Sequence, residues 1–316
     1  MPPCAASVSR LGTRKASTWA RNALYIDRGL LLVNKPPGIV CQYNRKDSAE
    51  EEEHPRFRDF INDFKEEFEL ENDPLPVHRL DKETTGVFAL ALHATHAREL
   101  SRQFSSRTVE KTYLALVIGG KKTFTDSSGV ISDWIQYFDG RPAFAKVPFV
   151  KPNEVTEKRS ETGYEVLAMS PKMPLSLVKL RPLTGHKHQL RVHMARTFGA
   201  PILGDALYSH SEVLRVITDT VTNPEDRIFL HASSLRVFRF RREGTPKRAS
   251  VMVCAPLPDY FVRACEDASI PLDKDVITGG LWIDGERIQV GQGEPDEGAK
   301  RGLNLLQGLS ARWFGS

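Results

Sequence analysis

The sequence predicts an α+β fold built on a mostly antiparallel sheet, and three observations predict it. Segments with strand character outnumber those with helical spacing. They do not alternate as regular βα units. Neither GxGxxG nor GxxxxGK(S/T) occurs, so a doubly wound, nucleotide-binding sheet has no support. The 316 residues suffice for one large domain or two small ones. Hydrophobic residues make up 40% and charged residues 27%, an ordinary globular composition. No apolar run approaches the roughly 18 residues of a membrane span.

Taken in order, residues 1–24 carry Arg10, Arg14, Lys15 and Arg21 and no acid. Without an apolar stretch this start excludes a secretory signal and reads as a mitochondrial transit segment, or else a solvated basic tail. Residues 30–33 form a strand that ends in the Asn34-Lys35-Pro36-Pro37-Gly38 turn. Between Arg45 and Asp73, twelve acids face five bases. The four glutamates at 50–53 read as a solvated loop. Phe57, Phe60, Ile61, Phe64 and Phe68 then recur at helical spacing, an amphipathic helix docked by its phenylalanines with its acids outside. Residues 87–92 read as a buried strand, 94–105 as a helix, and 113–118 as a strand closed by Gly119-Gly120. Residues 175–180 give another strand, and 235–240 a half-exposed one alternating apolar with basic. Past Ala268 the pattern thins to a short hairpin at 279–285, a loose polar stretch at 291–301 and a last helix at 303–313, with no function attached. Four cysteines (Cys4, Cys41, Cys254, Cys265) lack CxxC spacing and are too few for a disulfide framework, which favours a reducing compartment. The net charge of +4, from 44 bases against 40 acids, neither requires nor excludes nucleic acid.

Two clusters could carry chemistry. The first, Val77-His78-Arg79-Leu80-Asp81-Lys82-Glu83-Thr84-Thr85-Gly86, follows Pro74 and Pro76 and runs into a strand. A loop stiffened by prolines and anchored on a strand suits a catalytic carboxylate at Asp81. The competing reading makes Asp81 and the threonines ordinary turn residues. The second cluster, residues 181–196, holds Arg181, Lys187, Arg191 and Arg196 with His186, His188 and His193, and no acid. Read as a helix from about His186, it gathers Lys187, His188 and Arg191 within a turn, a surface suited to phosphate. Metal ligation by its histidines is disfavoured, because His188 and His193 stand five apart and no HExxH partner exists. Tyr113 alone reads as a core residue.

Together these segments resemble the RluA-type pseudouridine synthases. His78-Arg79-Leu80-Asp81 with Thr84-Thr85-Gly86 is similar to HRLDxxTSG, with Thr for Ser. Residues 33–38 resemble the NKPxG opening, Lys111-Thr112-Tyr113-Leu114-Ala115 the KxYxA strand, and residues 184–193 the TGRTHQxRVH segment continued by Gly199 to Asp205. Leu230-His231-Ala232-Ser233-Ser234-Leu235 resembles LHAxxL. The five motifs cover about residues 26–265 in order.

The resemblance implies a mixed, mostly antiparallel sheet flanked by helices around a central active-site cleft. It implies isomerisation of uridine to pseudouridine after base flipping, with no cofactor and no metal. Asp81 falls at the catalytic aspartate, Tyr113 at the aromatic residue that packs on the base and helps move a proton, and Arg191 at the cation that pairs with the aspartate. Arg79 falls at the arginine that fills the vacated stack. RNA contacts are expected from Arg79, Lys35, Lys111, His186, Lys187, His188, Gln189 and His193. His186 departs from the family's usual Arg, which weakens that contact or makes it pH-dependent. The expected organisation is a basic transit segment at 1–24, a catalytic domain at 25–266 and an extension of unknown role at 267–316. The expected partner is RNA, with no membrane, no nucleotide cofactor and a monomeric state. Mitochondrial large-subunit ribosomal RNA is the first expectation. A transfer RNA, or a non-catalytic ribosome-assembly role on the same fold, is the alternative. The expected location is mitochondrial, otherwise cytoplasmic or nuclear.

Overall fold

A computed structural model describes residues 19–41, 55–138, 140–143, 155–209, 215–222, 227–243, 245–289 and 297–315. The acidic run at 50–53, the basic residues Arg10, Arg14 and Lys15, and most of the loose stretch at 291–301 lie outside these.

The first half of the fold runs β1 (Ala23–Ile26), β2 (Leu30–Lys35), α1 (Pro55–Glu67), β3 (Leu75–Pro76), β4 (Thr85–Ala91), α2 (Ala94–Ser105) and β5 (Glu110–Ile118). Next come a long hairpin of β6 (Ser128–Phe138), the two-residue β7 (Arg141–Pro142) and β8 (Val155–Met169), then β9 (Leu175–Pro182) and α3 (Gln189–Phe198). After the short helical turn Arg215–Thr218 follow β10 (Leu230–Phe240), β11 (Arg248–Cys254) and α4 (Asp259–Asp267). β12 (Gly280–Ile283), β13 (Glu286–Arg287), α5 (Glu297–Leu309) and β14 (Arg312–Trp313) close the described chain.

Among the described residues, 14 strands join one sheet in the path β14-β1-β2-β4-β10-β5-β9-β8-β6-β7, with β11, β12 and β13 branching from β10 and β3 lying on β4. Every pairing is antiparallel except β10 with β4, where His231 and Ala232 lie beside Thr85 and Gly86. Gly86 is needed there. Its φ is +110°, and a Cβ would sit 2.2 Å from the Ala232 carbonyl oxygen. The α+β class and the mixed, mostly antiparallel sheet stand as expected.

The apolar runs of β2 and β4 are continuous because both faces are covered. Leu30, Leu32, Val87 and Ala89 pack with Leu100 of α2 and with Leu306 and Leu309 of α5. Leu31, Val33, Phe88 and Leu90 pack with Phe57, Phe60, Ile61 and Phe64 of α1. Phe68 lies just past the end of α1 and is half-buried, while Asp59, Glu66 and Glu67 face out.

Four expectations need correction. The boundary at 266/267 does not separate an extension: β12 pairs with β11, β14 pairs with β1, and Leu281, Ile283, Ile288, Leu306 and Leu309 belong to the core. The expected helix at 303–313 is displaced, since α5 ends at Leu309 and Arg312–Trp313 is a strand. Likewise Ala23 and Leu24 are buried strand residues, and Trp19 meets Phe60 edge-on at 5.9 Å, so any basic tail ends before Trp19. On β10 the alternation is not apolar-in, basic-out. Arg239 is buried and grips Asp27 through Nε (2.7 Å) and Nη2 (2.8 Å), while Phe240 is exposed. Asp27 also accepts the Gly29 and Leu30 amides, so the pair closes the β1–β2 turn with its charges matched.

Deleting residues 267–316 would strip six leucine and isoleucine side chains from the core, Ile270 among them. At about 1.5–3 kcal/mol for each, the loss rivals the roughly 5–15 kcal/mol of a whole domain. The shortened chain is expected to be insoluble or unfolded, as soluble yield and circular dichroism would show.

Candidate active site

The sheet forks where β10 leaves β4 for β11, and a cleft of about 870 Å³ opens beside the loop between β3 and β4. Asp81 sits on that loop with its side chain 19% exposed. The loop is held from several sides. Lys35, wholly buried, donates from Nζ to the carbonyls of Pro36 (2.9 Å), Ile39 (3.2 Å) and Lys82 (2.9 Å), and the Gly38 amide also reaches Lys82 O. The Thr84 amide bonds the Asp81 carbonyl at 3.1 Å. His78 accepts the Ala89 amide at Nε2 (2.9 Å) and stacks on Phe104. On β10, His231 donates from Nε2 to Ala255 O (3.3 Å), which leaves Nδ1 to accept the Thr85 hydroxyl (2.8 Å).

Two groups from the other wall face Asp81. Arg191 on α3 brings Nη1 to 3.6 Å from Oδ2, and His188 brings Nε2 to 3.8 Å from Oδ1. Arg191 is itself gripped by Asp205, through Nε (2.8 Å) and Nη2 (2.7 Å). Tyr208, three residues on, meets His188 Nδ1 with its hydroxyl at 2.8 Å and lies under the Arg191 guanidinium at 5.1 Å. Neither Asp205 nor Tyr208 is marked as a site residue by the sequence: Asp205 only ends a motif, and Tyr208 carries no spacing signal.

Arg79, Asp81, Lys111, Tyr113, His186, Lys187, His188 and Arg191 all line the cleft. Arg79 and the neighbouring Arg181 are exposed. Burial, with Asp81 and Cys41 nearby, pushes the Tyr113 phenol well above its usual value, so it stays protonated. Burial and Arg107 lower Lys111. His186 donates from Nε2 to the Arg159 carbonyl on β8 (3.2 Å), and burial lowers its pKa.

Three expected RNA contacts fail on geometry. Lys35 and His193 are wholly buried. The Lys35 ammonium is committed to three carbonyls, and His193 is held through Nδ1 by Thr162 Oγ1 at 3.0 Å. Gln189 borders the cleft, but its amide is consumed internally. Its Oε1 accepts the Thr184 hydroxyl (2.7 Å) and the His186 amide (3.1 Å), and its Nε2 donates to Glu161 O and Thr162 Oγ1, both at 2.9 Å. The helix also begins later than expected, at Gln189. His188 takes a left-handed conformation before it, φ 55° and ψ 17°.

A carboxylate in a cleft walled by cations, on a mixed sheet, defines an enzyme that works on a polyanion. The family described as RNA pseudouridylate synthase matches residues 29–196. The dual-specificity RNA pseudouridine synthase RluA of Haemophilus influenzae is 36% identical over 217 residues, covering 68% of this chain and 85% of the relative. The mitochondrial pseudouridylate synthase RPUSD4 of Danio rerio is 32% identical over 278 residues, covering 80% and 74%. The solved structure of human RNA pseudouridylate synthase domain containing 4 superposes with a TM-score of 0.61 at 25% identity, covering 81% of this chain and 96% of that one. The chain belongs to the RNA pseudouridylate synthase family, and it is an RNA pseudouridine synthase.

Burial lowers His78 to about 3 and His188, His193 and His231 to about 4. In the unfolded chain these rings titrate near 6.5, so between pH about 6.5 and about 4 the unfolded state binds more protons. Their contribution to stability is complete above pH 6.5 and is lost as pH falls toward 4. The urea midpoint is expected to drop between pH 7 and pH 5, and an unchanged midpoint would contradict the four neutral rings.

Proposed function

We propose that Asp81 is the catalytic carboxylate and that the substrate uridine lies in mitochondrial large-subunit ribosomal RNA. The observation that carries the first part is the convergence on Asp81 of Arg191 and His188 from the opposite wall of one cleft. The second part is supported by the acid-free basic start at 1–24 and by the mitochondrial relative in Danio rerio.

The reaction breaks the N1–C1′ bond of uridine, turns the base and joins C5 to C1′. The proton on C5 leaves and N1 gains one, so nothing is oxidised and no atom is lost. A carboxylate serves by stabilising the electron-poor C1′ or by adding covalently for the interval in which the base is free. Arg191 keeps its charge, since Asp205, Asp81 and Tyr208 together outweigh its desolvation. Tyr113 offers a protonated phenol and a flat face against the flipped base.

Unstacking the target costs roughly a few kcal/mol, and Arg79, exposed at the cleft mouth, is placed to fill the vacancy. Phosphates are held by Arg181, Lys187 and Lys111, which add affinity without reading sequence.

Asp81→Asn is expected to fold and bind RNA yet form no pseudouridine. The decisive experiment maps pseudouridine in total and mitochondrial RNA from cells lacking the gene, rescued with wild type or with Asp81→Asn. Loss of one mitochondrial ribosomal site, restored by wild type alone, is the expected result; loss of a transfer RNA site would move the substrate instead. Arg79→Ala is expected to lower kcat/KM about 10-fold or more on a structured stem-loop. That deficit should narrow on an oligonucleotide whose target uridine is already unstacked, where less unstacking remains to be offset.

A further inference from the structure

The loop before α3 places His188 in a left-handed conformation, uncommon for a residue with a Cβ, and that turn sends its ring toward Asp81 rather than into the core. One ring nitrogen faces the Asp81 carboxylate at 3.8 Å and the other meets the Tyr208 hydroxyl at 2.8 Å, with the two rings edge to face. Tyr208 stands on the turn begun by Gly204 and Asp205. Gly204 has φ +79°, and a Cβ there would lie 1.9 Å from Arg227 O. The Asp205 Oδ1 accepts the amides of Leu207 (3.0 Å) and Tyr208 (3.3 Å), while the same carboxylate grips Arg191. One short turn therefore orients both groups that face Asp81.

From this geometry we infer that Tyr208 is a positioning residue, donating its hydroxyl proton to His188 Nδ1 and so fixing the tautomer whose Nε2–H points at Asp81. The inference rests on reading Asp81 as the catalytic carboxylate.

A hydroxyl–imidazole bond can run either way, and the surroundings decide it. Asp81 and Asp205 favour a charged ring and Arg191 and Lys187 oppose one, but burial dominates and His188 is neutral near pH 7. A neutral ring carries one N–H. If that proton sat on Nδ1, a lone pair on Nε2 would face the carboxylate. With the proton on Nε2, the ring offers Asp81 a donor and Nδ1 accepts from a phenol that burial keeps protonated. The distance of 3.8 Å exceeds a formed hydrogen bond. Closure by under 1 Å completes it, the tightening usual for catalytic contacts when substrate binds. Arg191 Nη1, at 3.6 Å, needs a similar closure, after which each Asp81 oxygen has its own donor, His188 on Oδ1 and Arg191 on Oδ2.

Tyr208→Phe isolates the hydroxyl, because the ring under Arg191 is retained. Nitrogen-15 spectra of the full-length enzyme with labelled histidine are expected to show the Nε2–H tautomer at His188 in wild type and a mixture in Tyr208→Phe. Turnover of a stem-loop substrate should fall about 2- to 10-fold in kcat with KM nearly unchanged, in step with the Nε2–H fraction lost. In a His188→Gln background, where an amide supplies the donor without a tautomer, Tyr208→Phe should cost little more. An Nδ1–H tautomer in wild type, unchanged kcat in Tyr208→Phe, or an equal loss in both backgrounds would overturn the inference. Should Asp81→Asn retain turnover while the His188 tautomer is as expected, the catalytic reading of Asp81 fails and the tautomer lock survives.

Discussion

One buried ammonium decides where the site can be. Lys35 ends β2 inside the protein, burial lowers its pKa to about 8, and its Nζ meets three backbone carbonyls from two separate loops. An unpaired charge at that depth would cost several kcal/mol. With three acceptors around it, the same charge becomes a clamp between the turn after β2 and the loop that carries Asp81. Remove it and the buried Ile39 carbonyl loses this partner, at about 1–3 kcal/mol, while the Lys82 carbonyl keeps only the Gly38 amide to join the two loops. The Asp81 loop is thus tied to the sheet by a group that does not line the cleft.

The opposite wall is built on another kind of support. Gln189 uses every polar position of its amide to join β8, the turn at Thr184 and the start of α3. Asp205 does the same for Arg191 and the turn leading to Tyr208. Neither contributes a free group to substrate. Their effect is to deliver one guanidinium and one imidazole to a carboxylate on the far side of a cleft, without flexible stems. Arg191 is only 11% exposed, so its direction is set by packing as well as by its partners.

Much of this was legible in the sequence. The strand at 30–33, the Phe-studded α1 and the helix at 94–105 carry strong periodicity, and the motifs around Asp81, Tyr113 and Arg191 located the cleft. What escaped did so for identifiable reasons. β6 and β8 form a hairpin near one end of the sheet, and their polar residues fall on both faces, so no alternation marks them. β14 is two residues long and is defined by its partner β1, which lies far away in sequence. Arg239 and Lys35 read as solvent-facing cations because residue type says nothing about a partner some distance along the chain. Lys35, Gln189 and His193 sit inside motifs with cleft-lining residues, and the sequence has no signal that separates them from RNA contacts. The structure separates residues that meet solvent from those that hold the loop in shape.

The chemistry explains why so much of the motif is scaffold. An isomerisation that severs the base from its sugar and rejoins the same two pieces must hold both while no bond connects them. No cofactor is needed to store electrons, so what the protein contributes is position. A carboxylate on a loose loop could rotate away from C1′ in that interval, and a rotated carboxylate would leave an electron-poor carbon to water. Clamping the loop through Lys35 fixes where Asp81 stands, and the guanidinium and imidazole that face its two oxygens at 3.6 and 3.8 Å favour one way of turning it. Orientation of the carboxylate, rather than its mere presence, is what the buried network around the cleft secures.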